Sequence, residues 1–368
     1  MTSRQDSSRP VSTRPSVADV ESLAGLFHPH AIEIQEFSYY ALILDVRSSA
    51  EFDDDHIPGA MRLAPEVLRA AAEGDGPAAV MPPRDAADSL LVPPALASLV
   101  ASVRLDQAIL VYCGRGGRDS LPVAKALRWR GRTVDVLPGG WANYRRWVQA
   151  GLETLPRRID FRVVATALGS EAARVLAGLG RAGQQVLDVA TSAGWRTGAL
   201  TPKATQPTQA TFESRLLHAL RQFDPSHPVW VADTERQLGR VILPGALMDA
   251  LAGAPTAALA CPLAERLACW RDDEPVLKGS VEAVVEAVAT ASPAPEPQVI
   301  AAYRGQTDGS QLLARLLVDR DERARMRQAA CTGDPSQMPA LVTNTLAPDG
   351  LLEAIRTWLP QAVPAVRG

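Results

Sequence analysis

The chain has 368 residues, a hydrophobic fraction of 46% and a formal net charge of −3 at pH 7. That length exceeds the roughly 250–300 residues at which one hydrophobic core stops growing, so two domains are expected. The net charge is too near zero for general attraction to nucleic acid, and any RNA contact must come from local arginine clusters, each of which by itself also fits a solvated helix face. These clusters lie at 128–132, 145–146 and 157–158.

The cysteines and the apolar runs limit the class of protein further. The four cysteines (Cys113, Cys261, Cys269 and Cys331) show no CxxC spacing, which argues against a disulfide framework or a zinc site and favours a reducing compartment. No apolar run reaches the roughly 18–20 residues of a membrane span, and the polar N-terminus lacks the apolar stretch of a signal peptide. We therefore expect a soluble, cytoplasmic protein with no metal site and no membrane partner.

In chain order, residues 1–18 are rich in Ser, Arg, Thr and Pro and are predicted to form a disordered leader. Short apolar runs then alternate with amphipathic segments, and a long irregular connection is expected at 73–94. This alternation predicts a parallel sheet with helices on both faces. Strands are predicted at 42–46, 109–112 and 134–137, and helices at 122–130 and 141–150.

A domain boundary is predicted near 151–158, after which the α/β pattern restarts. Further strands are predicted at 162–165, 185–189, 229–232 and 256–260. Helices are predicted at 171–179, 209–221, 245–251, 280–290, 312–328 and 351–358, with a linker at 292–297. The expected organisation is a first α/β domain at 19–155, a second at 156–291, and a linker with a C-terminal helical region at 292–368.

The stretch LVYCGRGGRDS, residues 110–120, combines the features of a reactive thiol site. It begins as an apolar strand that ends on Cys113, and its glycines offer backbone N–H groups that can approach a ligand closely. Its arginines add positive charge, so the surroundings favour a thiolate and an anionic partner. The predicted site consists of Cys113 with Gly114, Arg115, Gly116, Gly117, Arg118 and Ser120.

The helix after this loop has clear start and stop signals. Ser120 is predicted to cap it, Pro122 lies in its first turn, and Gly131 suits the left-handed position after its end. The loop therefore lies between a strand end and a helix N-terminus, where ligands bind in open parallel sheets and where the helix dipole stabilises an anion. A cysteine at a strand end is by itself more often a small buried apolar residue, and the glycine- and arginine-rich loop decides for a site here.

Three further stretches fit the same design, namely LDVRSSAEF at 44–52, HIPGA at 56–60 and LPGGWANY at 137–144. Together with the cysteine loop they resemble a rhodanese domain. The resemblance implies that Cys113 carries a persulfide cradled by the amides of its loop, and that the other stretches form the scaffold beside it. The matching positions are Asp45, Arg47, Glu51, His56, Pro58, Gly59, Gly139, Gly140 and Trp141.

Among these residues only Cys113 is expected to be catalytic. The resemblance implies that His56 is held in a turn as a structural hydrogen-bonding residue rather than a base. Asp45 is expected to orient the neighbouring loops, and it should stay ionised because Arg47 stands beside it.

The spacing within the cysteine loop narrows the family. The pattern Cys-x-Arg-Gly-Gly-x-x-Ser is similar to the loop in the rhodanese domain of tRNA 2-selenouridine synthases. One position differs, because Asp119 stands where those loops carry an arginine. An anion in place of a donor weakens the binding of an oxyanion next to the thiol, unless Arg118 takes over that role.

Stretches in the second half of the chain resemble, in the same order, the P-loop-like C-terminal domain of these synthases. They are QQVLDVATSAGWRTGAL at 184–200, QPTQATFESRL at 206–216 and PVWVADTERQLGRVILPGALMDAL at 228–251. A protein made of a rhodanese domain alone would not contain them. The resemblance therefore implies a second α/β domain of the P-loop type.

The phosphate loop of that second domain is broken in ATALGSEAARVL, residues 165–176. Of the family's Gly-x-x-Gly-x-Gly-Lys-Thr pattern Gly169 remains, whereas Glu171, Ala172 and Ala173 stand at the last Gly, Lys and Thr positions. In such a loop the lysine neutralises phosphate and the hydroxyl holds Mg²⁺, and a glutamate adds charge of the same sign as phosphate. Tight binding of nucleotide-type phosphates is therefore disfavoured.

Two weaker candidate sites remain in the second domain. Gly169 and Ser170 precede a helix N-terminus that can hold a weakly bound anion. Asp233 and Arg236 keep one acid and the arginine of the family's Glu-Asp-Glu-Ser-Arg stretch. At 188–191 the chain reads DVAT where the family reads Asp-Leu-Glu-Gly, so an expected carboxylate is missing there as well.

The resemblance implies an enzyme that replaces the 2-thio sulfur of a wobble uridine in tRNA with selenium from selenophosphate, through an S-geranylated intermediate. Cys113 is then essential, selenophosphate and geranyl diphosphate are co-substrates rather than bound cofactors, and the partners are tRNA and an enzyme that makes selenophosphate, with no role for DNA. Two alternatives stay open. One is a general sulfurtransferase with a Cys113 persulfide and a second domain that is only a scaffold, and the other is a non-catalytic binding protein.

Overall fold

The computed structural model describes residues 37, 39–63, 100–114, 117–166, 171–195, 206–290, 296–305, 308–330 and 338–362. The chain divides into two compact units, residues 1–150 and 151–368. Several predicted features lie outside the described residues, namely the leader at 1–18, the connection at 73–94, most of the linker at 292–297, and Arg115, Gly116, Gly169, Ser170 and Cys331.

The first unit is built on a sheet of four strands, all paired in parallel. The strands are β1 (Tyr40–Asp45), β2 (Met61–Arg62), β3 (Ala108–Tyr112) and β4 (Thr133–Val136), in the spatial order β2-β1-β3-β4. Every residue of β3 is buried, as expected for a central strand of a parallel sheet. The three apolar runs predicted as strands in this half of the chain are therefore β1, β3 and β4, with ends that differ by one or two residues.

Helices cover both faces of this sheet. They are α1 (Ser49–Asp54), α2 (Ser120–Trp129) and α3 (Gly140–Thr154). Because successive strand residues point to opposite faces, Val111 and Cys113 pack with Val123 of α2, while Tyr112 stacks on Trp141 of α3 at a ring separation of 6.1 Å. The predicted fold class, a parallel sheet with helices on both faces, is confirmed for this unit.

The second unit contains a five-stranded parallel sheet and a short antiparallel hairpin. The sheet has the order β11-β10-β5-β7-β6, and the hairpin pairs β8 with β9. The strands are β5 (Phe161–Ala165), β6 (Gln185–Leu187), β7 (Val229–Ala232), β8 (Gln237–Leu238), β9 (Val241–Ile242), β10 (Thr256–Ala260) and β11 (Leu341–Val342). A second α/β domain was predicted from the restart of the pattern, and it is confirmed.

The strand predicted at 185–189 ends earlier, at Leu187, because the next residues form a short helix. Asp188 caps that helix, and its carboxylate accepts a hydrogen bond of 2.8 Å from the backbone N–H of Thr191. The helices of this unit are α4 (Glu171–Arg181), α5 (Val189–Ser192), α6 (Gln209–Leu220), α7 (Gly245–Ala252), α8 (Leu263–Asp273), α9 (Val281–Thr290), α10 (Pro297–Arg304), α11 (Gly309–Ala330) and α12 (Pro348–Ala362).

Two hydrophobic cores hold the second unit together. One lies under the sheet and includes Trp230 of β7, Leu341 of β11, and Ile355 and Trp358 of α12. The other joins α8, α9, α10 and α11 around Trp270. The C-terminal region that was predicted as a linker and helices thus contributes a strand and a helix to the main core. Within the described parts of the chain, no helix combines the length and the apolarity that crossing a membrane requires.

Candidate functional site

The structure places Cys113 directly after β3, at the carboxyl edge of the first sheet. The residue is buried, with 1% of its surface exposed. The hydroxyl of Ser120 lies 3.3 Å from the Cys113 sulfur and donates to it. Ser120 was predicted to cap α2, and that prediction is wrong: the cap is Asp119, without a side-chain capping bond, and Ser120 is the first residue of the helix. Its hydroxyl faces the thiol instead.

The N-terminus of α3 holds the backbone around the cysteine. The Trp141 N–H donates to the carbonyl of Cys113 at 2.8 Å, and the Ala142 N–H donates to the carbonyl of Gly114 at 3.1 Å. Gly139 and Gly140 precede these amides with φ angles of +67° and +57°, a region that suits glycine. The LPGGWANY stretch therefore acts as a bracket for the cysteine loop.

A buried ion pair lies beside the site. The Arg47 guanidinium contacts the Asp45 carboxylate at 2.6 Å, with 3% and 0% of the two side chains exposed. Arg47 also donates to the carbonyl of Asp55 at 2.6 Å and lies 3.8 Å from the ring centre of Trp141. Burial works against the charged form of Arg47, but the hydrogen bond and the charge of Asp45 outweigh it and raise the pKa of Arg47. The pair thus ties the end of β1 to the next loop and to α3.

Tyr112 connects this pair to the HIPGA turn. Burial, with the charge of Asp45, raises the pKa of Tyr112, so the phenol stays neutral, and its oxygen accepts a hydrogen bond from the Ile57 N–H at 3.2 Å. The Ala60 N–H closes the turn onto the carbonyl of Ile57, and Gly59 takes a φ of +84°. His56 contacts the carbonyl of Phe52 at 2.9 Å through Nδ1, and its role as a structural residue rather than a base stays a prediction.

Glu51 is an acidic side chain that the structure places near the cysteine loop. A Cβ atom on Gly114 would lie 4.0 Å from its Oε1. The other oxygen accepts hydrogen bonds from the backbone and hydroxyl of Ser48, which forms a capping box at the start of α1. That hydrogen bonding holds the pKa of Glu51 below its usual value, with burial acting in the opposite direction. The carboxylate is therefore an anion at neutral pH.

The remaining loop residues that the structure describes have different surroundings. Gly117 has a φ of +73° and its carbonyl accepts from the Leu121 N–H, which closes the loop onto α2. Arg118 and Asp119 are exposed. The predicted effect of Asp119 on an oxyanion, and its compensation by Arg118, stay predictions.

Several arginines of the predicted clusters are engaged within the fold. Arg128 donates to the carbonyl of Val134, and Arg132 donates to the carbonyl of Val103. Arg145 pairs with the buried carboxylate of Asp55 at 3.1 Å. These arginine side chains therefore stabilise the first unit itself. The sequence analysis did not identify Asp55 or Tyr112 as residues beside the site, because their partners Arg145 and Ile57 lie far away along the chain.

The second unit has a cavity of about 260 Å³ at the carboxyl ends of β6 and β7. Asp188, Asp233 and the first turn of α4 contribute to its lining. Asp233 also accepts from the backbone N–H of Thr166 at 2.9 Å, which ties the end of β5 to β7. Arg236, predicted as a partner of Asp233 in a site, is exposed and does not line this cavity. In the described part of the chain, no cluster of three or more His, Cys, Asp or Glu side chains is arranged to hold a metal ion.

Comparison with known protein families assigns a domain type to each half of the chain. A model of the rhodanese-like domain matches residues 31–146, and a model described as the tRNA 2-selenouridine synthase AAA domain matches residues 159–277. Together these matches cover more than half of the chain. The chain belongs to the tRNA 2-selenouridine synthase family. The resemblance drawn from the cysteine loop and the second half of the sequence is thereby confirmed.

Curated relatives in this family are similar over part of the chain. The tRNA 2-selenouridine synthase of Aeromonas salmonicida is 29% identical over 177 residues, 47% of each protein. That of Hydrogenovibrio crunogenus is 30% identical over 168 residues, 45% of this chain and 46% of the relative. That of Bdellovibrio bacteriovorus is 27% identical over 258 residues, 67% of each. The chain thus spans about half the length of the first two relatives.

Proposed function

We propose that this member of the family exchanges sulfur for selenium in 2-thiouridine of tRNA, and that Cys113 is its essential thiol. The observation that carries the proposal is the placement of Cys113 at the carboxyl edge of a parallel sheet, with the Ser120 hydroxyl 3.3 Å from its sulfur. The Ser120 hydroxyl and the N-terminus of α2 place a hydrogen-bond donor and the positive end of a helix dipole beside this sulfur. Family membership supplies the nature of the substrate.

In the proposed reaction, geranyl diphosphate first alkylates the 2-thio sulfur and releases diphosphate. Selenophosphate then delivers selenium to C2 of the uridine, water takes up the phosphoryl group to give phosphate, and geranyl thiol leaves. Both steps conserve oxidation states, so no external oxidant is needed. The role we assign to this chain is to present the Cys113 sulfur in a backbone loop held by α3, at the place where the exchange occurs.

The test is the nucleoside content of tRNA from a strain lacking this gene, complemented with wild type, with Cys113→Ala, or with Cys261→Ala. Cys261 is a matched control because burial, together with nearby Glu265, raises the pKa of its thiol to about 11, so it is protonated at neutral pH. Mass spectrometry is expected to show 2-selenouridine with wild type and Cys261→Ala and none with Cys113→Ala. Equal levels with and without the gene would refute the proposal.

A second candidate function is a general sulfurtransferase. The observation in its favour is the second unit, where Glu171, Ala172 and Ala173 replace the phosphate-binding residues of the family pattern while the cysteine site keeps its scaffold. In that reaction the Cys113 thiolate takes the outer sulfur of thiosulfate and releases sulfite, and cyanide then removes the sulfur as thiocyanate. Thiocyanate formation that vanishes in Cys113→Ala would support this candidate. Turnover of either kind that depends on Cys113 would exclude a non-catalytic binding protein.

A further inference from the structure

The first turn of α4, at its junction with the preceding chain, carries a buried acid where the family pattern has a glycine. Glu171 is the first residue of α4, and its side chain is 1% exposed. Its Oε1 accepts a hydrogen bond of 2.7 Å from Nε of Arg266, which is itself 12% exposed. Proteins commonly bind phosphate groups at a helix N-terminus with an arginine beside it. Here the buried carboxylate of Glu171 occupies such a place, because it lies at the positive end of α4 and pairs with Arg266.

Arg266 reaches this junction from α8, the helix that follows the carboxyl end of β10. A second ion pair, between Arg174 of α4 and Asp273 of α8 at 3.3 Å, lies farther along the same two helices. The two pairs together fix α8 against the start of α4. Because separating a buried ion pair is costly, the Glu171–Arg266 pair contributes to holding α8 at this place.

The neighbouring cavity does not suit a phosphate-bearing ligand. Four of its lining side chains are carboxylates, and none of its described lining residues is a lysine or an arginine. Ala172 and Ala173 line it at the positions where the family pattern has Lys and Thr, so neither a phosphate-neutralising amine nor a Mg²⁺-binding hydroxyl is supplied there. The residues present therefore do not fit the nucleotide-type ligand that a phosphate loop implies.

We propose that Glu171 acts as a built-in anion that takes the place of a ligand phosphate at the N-terminus of α4, with Arg266 as the cation that such a phosphate would contact. Phosphate-bearing ligands consequently do not bind at this junction, and the phosphate groups of selenophosphate or geranyl diphosphate are not held there. This inference does not depend on the proposed function of Cys113, and its test uses no reaction of that thiol.

The test is calorimetric titration of the full-length chain with inorganic pyrophosphate at low salt. Wild type is expected to show no binding at millimolar pyrophosphate. Glu171→Gly removes the built-in anion and leaves Arg266 available to a ligand. The dissociation constant of this variant for pyrophosphate should therefore be at least tenfold lower than the limit that the wild-type titration sets. The double variant Glu171→Gly with Arg266→Met should lose that gain. Glu282→Gly is the matched control, since it removes an acid from the first turn of α9, where it is exposed, and should leave binding unchanged.

Three results would overturn the proposal. Binding of pyrophosphate by wild type that is weakened by Arg266→Met would show that the junction is an open phosphate site. A folded Glu171→Gly variant without any gain would show that Glu171 does not stand in for a phosphate. A gain in affinity that persists in the double variant would show that Arg266 is not the cation that contacts the phosphate. The titrations of wild type and of Arg266→Met do not use Glu171→Gly, so they decide the first point even if that variant fails to fold.

Discussion

At the scale of single residues, Arg47 joins three parts of the fold beside the site. It pairs with Asp45, donates to the Asp55 carbonyl and lies over the ring of Trp141. These contacts join the end of β1, the loop after α1 and the start of α3. The guanidinium is suited to this because its planar fork makes several hydrogen bonds at once while its face stacks on an aromatic ring.

We expect Arg47→Met to lower the free energy of unfolding of the first unit by about 3–5 kcal/mol, because it leaves the Asp45 carboxylate charged and buried without its partner. Urea denaturation followed by tryptophan fluorescence measures this. Arg104→Met is the control, since the Arg104–Asp106 pair is exposed, with 76% and 68% of the side chains accessible, and it should have little effect. Equal effects of the two variants would show that the buried pair is not structurally important.

The sequence predicted the residues that lie together in short motifs and missed those joined across the fold. Asp45, Arg47, His56 and Cys113 stand at recognisable positions in contiguous stretches. Arg266 was not predicted as the partner of Glu171, because the two are 95 positions apart and no local pattern connects them. Ser120 was placed in the predicted cysteine loop and was also assigned to helix capping from its residue type. The structure directs its hydroxyl to the Cys113 sulfur, so the capping assignment is wrong.

At the scale of elements, the start of α1 depends on the charge of Glu51. The hydrogen bond from Ser48 lowers the pKa of Glu51 below its usual value of 4.5. A carboxyl group whose pKa is lower in the folded state contributes stability above its unfolded pKa, and that contribution is lost as the pH falls through the folded value. Protection of the α1 amides against hydrogen exchange, corrected for intrinsic rates, should therefore fall from pH 6 to pH 3.

The control for this pH dependence is Glu51→Gln, which keeps an acceptor for Ser48 but does not titrate. Its α1 amides should show the same protection across the range. A wild-type protein whose protection is constant down to pH 3 would contradict the assignment of the cap to ionised Glu51.

The bracket formed by α3 depends on the glycines before it. At Gly139, with φ +67°, a Cβ atom would lie 2.9 Å from Cβ of Asn143, whereas at Gly59, with φ +84°, it would meet nothing within 4 Å. Gly59→Ala should cost only the backbone strain of about 1–2 kcal/mol. Gly139→Ala should cost more, because the clash adds to the strain and displaces the Trp141 amide. Thermal unfolding of the two variants compares them directly, and equal losses would contradict a steric role for Asn143.

Element boundaries show where apolar patterns suffice. The strands predicted at 229–232 and 256–260 are observed with those bounds, since each is a short apolar run in a parallel sheet. The two-residue strands β2, β8, β9 and β11 were not predicted, because two residues carry no periodicity. The helix α8 was not predicted either, as charges interrupt its apolar pattern.

At the scale of the whole molecule, the second unit depends on its last helix. Trp358 of α12 lies 5.1 Å from Trp230 of β7 and has 5% of its surface exposed. We expect Trp358→Ala to destabilise this unit by about 3–5 kcal/mol, because a large buried side chain is lost and a cavity remains. Hydrogen exchange measured by mass spectrometry should show lower protection in β5, β7 and β10.

The first unit serves as the internal reference in that experiment, since β1 and β3 should keep their protection. Val342→Ala, on β11 and 66% exposed, is the matched control and should change little. Loss of protection in both units after Trp358→Ala would contradict the expectation that the two units are separately stable. No loss of protection in either unit would show that α12 does not stabilise the core of the second unit.

The class of fold and its repetition followed from the alternation of apolar runs and amphipathic segments. The role of residues 338–362 did not, because a strand of two residues and an amphipathic helix do not indicate which sheet they join. That information lies in the shape of the surface left open beside β10, and no local stretch of sequence encodes it.

The two amides at the start of α3 have one more consequence. By holding the carbonyls of Cys113 and Gly114, they turn the opposite side of the first peptide plane, with the N–H of Gly114, away from α3. The dipole of that peptide is thus oriented by the fold itself. Under the proposed role of Cys113, a charge on its sulfur would form beside backbone groups that α3 already holds in place, so little reorganisation energy would be needed.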